Sequence, residues 1–542
     1  MEAIAYEQVR PRYSAAHVSG VVGPAAVVTL LTLLGTGSGF LREVAIALRF
    51  GASRETDAYL TALFVPGLLQ QVLLTGSLTA VLVPVLSRCL ERGEMETAWG
   101  LVVSAGGLLF VLLALIGVVG VVLAPVVVTI LAPGFDESTA AMTVNLTRAM
   151  FPLTLFFGLT AYGTAVLNAH LKFAMPALAP FVFNAGAIVS ALVLGAMYGM
   201  AGLAVGTVVA GVAQLALLGP SFARIRQHRS FSLGTGGRHL RRAAANLLPA
   251  LATAVSIQMY FVLERVLASH LGNGAVSSLS YAYKIALFPS AFAFALVTVS
   301  FPNLSRYVAR GDIQRFASVM TGNVRILVFI GAPIAVLMAT LSGEIVEVIL
   351  QRGAFTGTAA ELTASALRSY VIALPLYGIV WLLIRALNAF DDFVSPLLAH
   401  LAAVSLMVPV AIGLSMTWGV PGLALGQLVV TSSVMLLLYY FLRRRAGPMG
   451  EERIAVTAAQ VGLAAALMWV AIWGVSHLLR SILVLASAPD LVLYLSVCTF
   501  AGATAYVLAA AAMRMKEMRI LFAVVLDHIR RPVRAIAGGY QR

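Results

Sequence analysis

Ionisable and amide side chains interrupt the apolar stretches of this chain at only a few places, and those places bound the chemistry it can do. Arg42 and Glu43 lie near the end of one apolar run, Asp57 opens the next, and Gln70 and Gln71 sit in its middle. Farther on come Glu264 with Arg265, then Lys284, then Arg385, Asn388, Asp391 and Asp392. Charge inside a hydrocarbon-facing segment is costly, so such groups mark ion or substrate paths unless a plainer role accounts for them. Plainer roles are available. Arg42, Arg49 and Asp57 fit interfacial side chains that snorkel or pair at a surface. Glu264 and Arg265 point about 100° apart on a helix, so either could pair with a neighbouring helix instead. Lys284, alone in an apolar run, calls for a wet cavity. Asn388 and Asp392 share a helical face only if the helix continues that far.

No enzyme constellation accompanies these residues. There is no GxxxxGK[ST] phosphate loop, and Gly35-Thr36-Gly37-Ser38-Gly39 follows no strand. The histidines show no metal-ligand spacing, and Cys89 and Cys498 form no disulfide framework. What remains is transport, passive or driven by an ion gradient or the membrane potential.

The elements that position these groups follow from composition. Hydrophobic residues make up 60% of the 542 residues and charged ones only 11%, against about a quarter charged in soluble domains. A chain so poor in charge needs the bilayer as solvent. Its apolar runs are continuous, as from Gly107 to Leu131, which selects helices over the alternating strands of a barrel. Windows of about 20 apolar residues give fourteen expected spans, near 21–47, 58–86, 99–131, 144–168, 175–197, 201–223, 243–268, 278–305, 321–350, 365–389, 395–417, 421–442, 455–478 and 490–513. Gly35, Gly37, Gly39 and Pro66 mark candidate kinks, and 99–131 is too long for one upright crossing. The net charge of +14 is distributed as topology predicts, so it does not indicate nucleic acid. Loops on one side, with both termini, carry about 25 Lys/Arg against about 5 on the other, which makes that side cytoplasmic. Both termini inside requires an even number of spans.

The sequence also repeats at a spacing of 220 residues. Arg148 recurs as Arg368, Leu167-Asn168-Ala169 as Leu387-Asn388-Ala389, Pro176 as Pro396, and Gly202-Leu203-Ala204 as Gly422-Leu423-Ala424. Ala58-Tyr59 echoes Ala282-Tyr283 at 224. Spans 1–6 therefore pair with spans 7–12 as parallel repeats, an arrangement that builds transporters with a substrate site between the halves. The expected organisation is all-α: a cytoplasmic N-terminus (1–20), a six-helix bundle (21–223), a basic linker (224–242) and a second six-helix bundle (243–442). A basic loop (443–454), an appended helix pair (455–513) and a basic tail (514–542) follow.

Gly39-Phe40-Leu41-Arg42-Glu43, Phe50-Gly51-Ala52, Thr56-Asp57-Ala58-Tyr59, Pro66 and Val83-Pro84-Val85-Leu86-Ser87 together resemble the N-terminal signature of the MurJ (MviN) family. That family belongs to the multidrug/oligosaccharidyl-lipid/polysaccharide exporter superfamily. Leu263-Glu264-Arg265-Val266-Leu267-Ala268-Ser269, Pro302-Asn303-Leu304-Ser305 and Gln351-Arg352-Gly353-Ala354-Phe355 are similar to its second-half motifs. The resemblance spans about residues 20–515. It implies a flippase moving lipid II, the undecaprenyl-diphosphate-linked peptidoglycan precursor, across the bacterial inner membrane by alternating access. Arg42, Asp57, Gln70, Gln71 and Lys284 fall on its substrate-cavity positions. Guanidinium groups suit phosphate because they donate two parallel hydrogen bonds and stay charged. Thr36 stands where the family has an arginine, Gln70 and Gln71 where it has basic residues, and Lys284 keeps the charge of an arginine without its fork. The implied cavity is less cationic, which leaves another undecaprenyl-linked glycan, such as an exopolysaccharide repeat unit, as the alternative. Some members carry a sodium site, to which Glu264, Asn388 and Asp392 correspond, with Glu in place of the usual Asp. The implied drive is sodium or the membrane potential, and the implied partners are the lipid-linked saccharide, membrane lipids and envelope-synthesis machinery. A drug/cation antiporter, a glycosyltransferase on the same carrier and a non-transporting envelope scaffold are the remaining rivals. The longest internal loop, about Ser221 to Arg242, is basic and lacks the carboxylates such an enzyme needs.

Overall fold

Backbone polar groups shielded from water must bond within their own segment, and every regular element among the described residues is helical. The computed structural model describes residues 15–73, 78–226, 237–482 and 488–519. The expected N-terminus, linker and tail lie partly outside these residues, with Arg10, Arg12, Arg229, Arg530, Arg531, Arg534 and Arg542 among the positions left out.

Contacts divide the chain into two compact units. The first comprises the described parts of Met1–Arg49, Ala62–Pro125 and Val144–Leu251, and the second those of Phe50–Thr61, Val126–Thr143 and Ala252–Arg542. The chain passes from one unit to the other at the end of α1 (Ala15–Phe50) and within α2 (Arg54–Val72), α5 (Ala124–Leu131), α6 (Glu137–Met150) and α11 (Gly237–Ala268).

The first unit holds α1 (Ala15–Phe50), which runs on as helix through Gly35, Gly37 and Gly39, with α3 (Leu78–Glu91), α4 (Met95–Val122), α7 (Leu153–Ala169), α8 (Ala174–Val189), α9 (Gly195–Ala216) and α10 (Gly219–Arg226). The overlong 99–131 stretch breaks at Leu123, just before Pro125. A core of Leu86, Trp99, Leu101, Tyr162, Val166 and Leu167 packs α3, α4 and α7 together. The opposite face of α4 exposes Leu108, Val111, Leu115, Val118 and Val122. Such a face is stable only against lipid or another apolar surface.

The second unit holds α12 (Ala275–Leu287), α13 (Ser290–Ala309), α14 (Ile313–Thr340), α15 (Ser342–Leu350), α16 (Gly357–Tyr370), α17 (Leu374–Ala389), α18 (Val394–Ala446), α19 (Glu451–Ile482) and α20 (Ala488–Ala512). The last two form the appended pair, packed on α14 through Phe329, Val461, Met468, Ile472, Tyr494, Cys498 and Tyr506. Polar side-chain contacts hold each end of α19. Arg480 reaches Glu344 of α15 at 2.5 Å and also donates to Tyr494. Toward the other end, Arg325 of α14 pairs with Glu517 at 2.5 Å and donates to Thr457 of α19 at 2.8 Å.

The internal repeat is visible in backbone geometry. Gly199 (φ 59°, ψ −145°) and Gly419 (φ 63°, ψ −133°) break α9 and α18 at positions 220 residues apart. Only glycine adopts such angles readily, and at both the chain folds back on itself. A Cβ on Gly206 would fall 2.2 Å from Ser190 Oγ, and one on Gly426 3.1 Å from Met407 Cε. On a straight helix those residues would be about 24 Å and about 28 Å apart. Leu171 and Asp391, again 220 apart, both have φ 57° and both end helices. Gly93 and Gly311 (φ 72° and 70°) add a correspondence at 218, each closing a Pro-x-Leu-Ser-Arg helix that begins its motif at Pro84 or Pro302.

Eight helices among the described residues are long and apolar enough to cross a bilayer, or ten if each bent pair is one crossing. Two of the eight contain the Gly199 and Gly419 hairpins, and each supplies two arms. α2, on the expected span 2, is outside that set because it carries Arg54, Glu55 and Asp57 in its first turns.

Candidate functional site

In the first unit, Arg42 is built into a polar cluster between α1 and α8. Its Nη1 donates to Asn184 Oδ1 at 3.0 Å, and Nε and Nη2 both donate to Glu43 Oε1, at 3.2 and 2.7 Å. The guanidinium carbon lies 5.6 Å from the centre of the Phe183 ring, within cation–π range. Asn184 is the residue that sequence reasoning missed. Its Nδ2 donates to the Gly35 carbonyl at 3.1 Å and to Ser38 Oγ at 3.3 Å. Gly39 makes room for it, since a Cβ there would sit 3.2 Å from Nδ2. The glycine-rich stretch thus serves close helix packing and not a phosphate loop. Thr36 is exposed and bonds only back along α1, to the Thr32 carbonyl. Gln70 is half-buried and Gln71 exposed, near the end of α2.

In the second unit, Asp57 is 1% exposed and clasps the start of α12. Its Oδ2 accepts from the Gly274 amide and its Oδ1 from the Ser277 amide, both at 2.7 Å. A carboxylate here satisfies helix-start amides that lack intrahelical partners and meets the positive end of the helix dipole. Tyr281 reinforces the junction by donating to the Gly51 carbonyl at 3.3 Å. Asp57→Ala strands two buried N–H groups. It is expected to lower stability by about 3 kcal/mol, with Asp57→Asn intermediate because one acceptor survives. Thermal unfolding of the purified protein measures this, and an unchanged melting curve for the alanine variant would contradict the assignment. Lys284 lies half-buried in the last turn of the same helix, seven residues beyond Ser277.

The three residues matched to a cation site are not gathered. Glu264 is buried, and its Oε1 accepts from Tyr260 at 3.4 Å and from Tyr370. Tyr283 packs edge-on to Tyr370 at 5.6 Å, and Tyr377 lies nearby beside Gln427, whose Oε1 is buried without a donor. Arg265 turns away to Thr61, at 3.2 Å. Asn388 sits at the far end of α17, about 25 Å of helix from Tyr370. The shared helical face of Asn388 and Asp392 does not form, because α17 ends at Ala389 and Asp391 takes a left-handed conformation. Asp392 instead accepts from the Ser395 amide and hydroxyl and pairs with Arg445 at 2.8 Å. Those bonds and the Arg445 charge hold its carboxyl below the usual range against the opposing effect of burial. Arg385 rests over the Phe301 ring at 5.4 Å. No group of three or more His, Cys, Asp or Glu side chains placed for a metal occurs among the described residues.

The family model described as "Lipid II flippase MurJ" matches residues 46–494. The chain belongs to the MurJ family. The lipid II flippase MurJ of Burkholderia cenocepacia is 29% identical over 374 residues, covering 67% of this chain and 72% of that one. The probable lipid II flippase MurJ of Rhizobium tropici is 28% identical over 405 residues, covering 72% and 75%. A solved MurJ in an inward closed conformation superposes with a TM-score of 0.76 at 20% identity, over 90% of this chain and 98% of that one. An inward-facing multidrug-resistance MATE transporter, itself of the MOP superfamily, gives 0.67 at 13% identity, over 79% and 99%. These two likenesses establish the fold. The chain is therefore a multi-pass helical membrane protein with the transporter fold shared by the MurJ and MATE families.

Proposed function

We propose that this chain carries lipid II, or a close undecaprenyl-diphosphate-linked analogue, from the cytoplasmic to the outer leaflet of the bacterial inner membrane by alternating access. No covalent bond in the substrate changes, so it acts as a transporter and not as an enzyme. The observation that carries the reading is the match of the MurJ family model across residues 46–494. The chemistry agrees with it. A diphosphate cannot enter hydrocarbon alone, whereas cations held inside the protein can take it while the polyprenyl tail stays in lipid. Arg42 and Lys284 supply those cations. Asp57, through its hold on α12, sets the position of the helix that bears Lys284. Both termini lie on the cytoplasmic side, following the bias in basic residues.

The drive is the membrane potential or a cation gradient. Because Glu264 stands apart from Asn388 and Asp392, no step is assigned to a sodium ion on that trio. Expression in a strain depleted of its own lipid II flippase tests the substrate, and growth with normal cell shape is the expected result. One observation favours a second reading. Thr36, Gln70 and Gln71 leave three positions uncharged, which suits a glycan with a smaller anionic load. Failure of rescue at normal expression, with restored export of a capsule or exopolysaccharide in a matching mutant, would select that alternative.

A further inference from the structure

Asn184 is 7% exposed, deep in an apolar helix, and its carboxamide is fully engaged in one sense. The Gly35 carbonyl can only accept, so Nδ2 must face it and Oδ1 must face Arg42. Ser38 Oγ, itself donating to the Gly35 carbonyl at 2.9 Å, accepts the remaining amide hydrogen. Three groups spread over two turns of α1 are thereby tied to one side chain of α8. The Phe183 ring next to Asn184 supports the guanidinium from another direction. Glu43, 3% exposed, already balances Arg42 charge for charge. An aspartate at 184 would fit the same space and satisfy Arg42 equally well. It would also make the cluster net negative and set a carboxylate against the Gly35 carbonyl.

We propose that Asn184 is a positioning residue for anion recognition: it fixes the Arg42 guanidinium on α1 while contributing no charge that competes with an anionic headgroup. This rests on the reading that Arg42 meets the headgroup, and it adds a second determinant on a different helix. The neutrality of Asn184 is the operative property, which separates the proposal from a simple packing role.

The test uses the full chain in lipid nanodiscs and in proteoliposomes, with lipid II as the probe. Asn184→Asp is expected to weaken lipid II binding by roughly 10- to 100-fold, the equivalent of one charge-assisted hydrogen bond, and to slow translocation in step. Adding Glu43→Gln restores the local charge sum, and the double variant is expected to recover most of the affinity. A packing role predicts no such recovery. Binding by Asn184→Asp within twofold of the natural protein overturns the proposal, as does a loss that Glu43→Gln leaves uncorrected. Should the aspartate variant fail to fold, Asn184→Ala removes the tether without adding charge. Binding by Asn184→Ala within twofold of the natural protein then overturns the proposal, and a loss of about tenfold that Asn184→Gln, neutral and able to reach the same partners, largely restores supports it. Arg42→Ala/Glu43→Gln run alongside separates the two levels. If it binds lipid II normally, the assignment of Arg42 to the headgroup falls and this inference with it. If it folds but loses binding while Asn184→Asp keeps it, only the inference falls.

Discussion

Arg42→Ala is expected to reduce lipid translocation in proteoliposomes by about 100-fold or more, since a charge-assisted contact of about 3 kcal/mol is removed from the path of the headgroup. The structure also shows how to keep this experiment clean. Truncating Arg42 alone takes from the buried Glu43 the guanidinium on its Oε1, and loss of fold could be mistaken for loss of function. Combining Arg42→Ala with Glu43→Gln removes the uncompensated charge, and the double variant should fold and remain inactive. Arg42→Lys keeps the charge but loses the fork that reaches Asn184 and Glu43 together, so about a tenfold loss is expected. Rapid flipping by a folded Arg42→Ala/Glu43→Gln protein would rule out a role for Arg42 in transport.

The second large effect concerns stability. Arg325→Leu should cost about 3 kcal/mol, the lower end of the range for breaking a buried ion pair, because the arginine is itself 22% exposed. The burden falls on Glu517, 2% exposed, which among the described residues is left with only a 3.4 Å contact from Thr457. Arg325→Leu with Glu517→Leu should come out close to the natural protein, since replacing both charges by apolar groups removes their desolvation cost together. Thermal unfolding in detergent, read through a label on α20, distinguishes the two. Melting of Arg325→Leu equal to that of the natural protein would show that the pair contributes nothing to anchoring the appended helices.

The architecture was legible where backbone demands dictate residue type. Leu167-Asn168-Ala169 and its copy at 387–389 precede the same left-handed turn, and Gly202-Leu203-Ala204 and its copy at 422–424 follow the same hairpin glycine. The repeat in letters was a repeat in dihedral angles. The site was legible only as a set of misplaced charges. Arg42, Asp57 and Glu264 stand out because hydrocarbon penalises them, but nothing local states their partners. Asp57 meets amides 217 and 220 residues away, and Arg42 meets Asn184 across 142. Asn184 carries no charge, occurs once in its run and matches no spacing rule, so it gave no signal. The proposed Asn388–Asp392 face failed on one residue: Asp391 tolerates the left-handed region, and there the helix stops. A Pro-x-Leu-Ser-Arg comparison at spacing 218 was available in the letters. It is weaker because its offset differs from 220.

The polar contacts at the two ends of α19 bear on how the protein meets lipid. Thr457 and Arg480 are 23 residues apart, about 35 Å along the helix, a little more than the hydrocarbon thickness of an ordinary bilayer, about 30 Å. A helix tethered at both ends cannot lean to suit a thinner or thicker membrane, which is how a lone span relieves mismatch. The acyl chains around it must stretch or compress instead, at a fraction of a kcal/mol per Å. Mismatch at the final pair of helices is therefore borne by the surrounding lipid and not by a change in helix tilt.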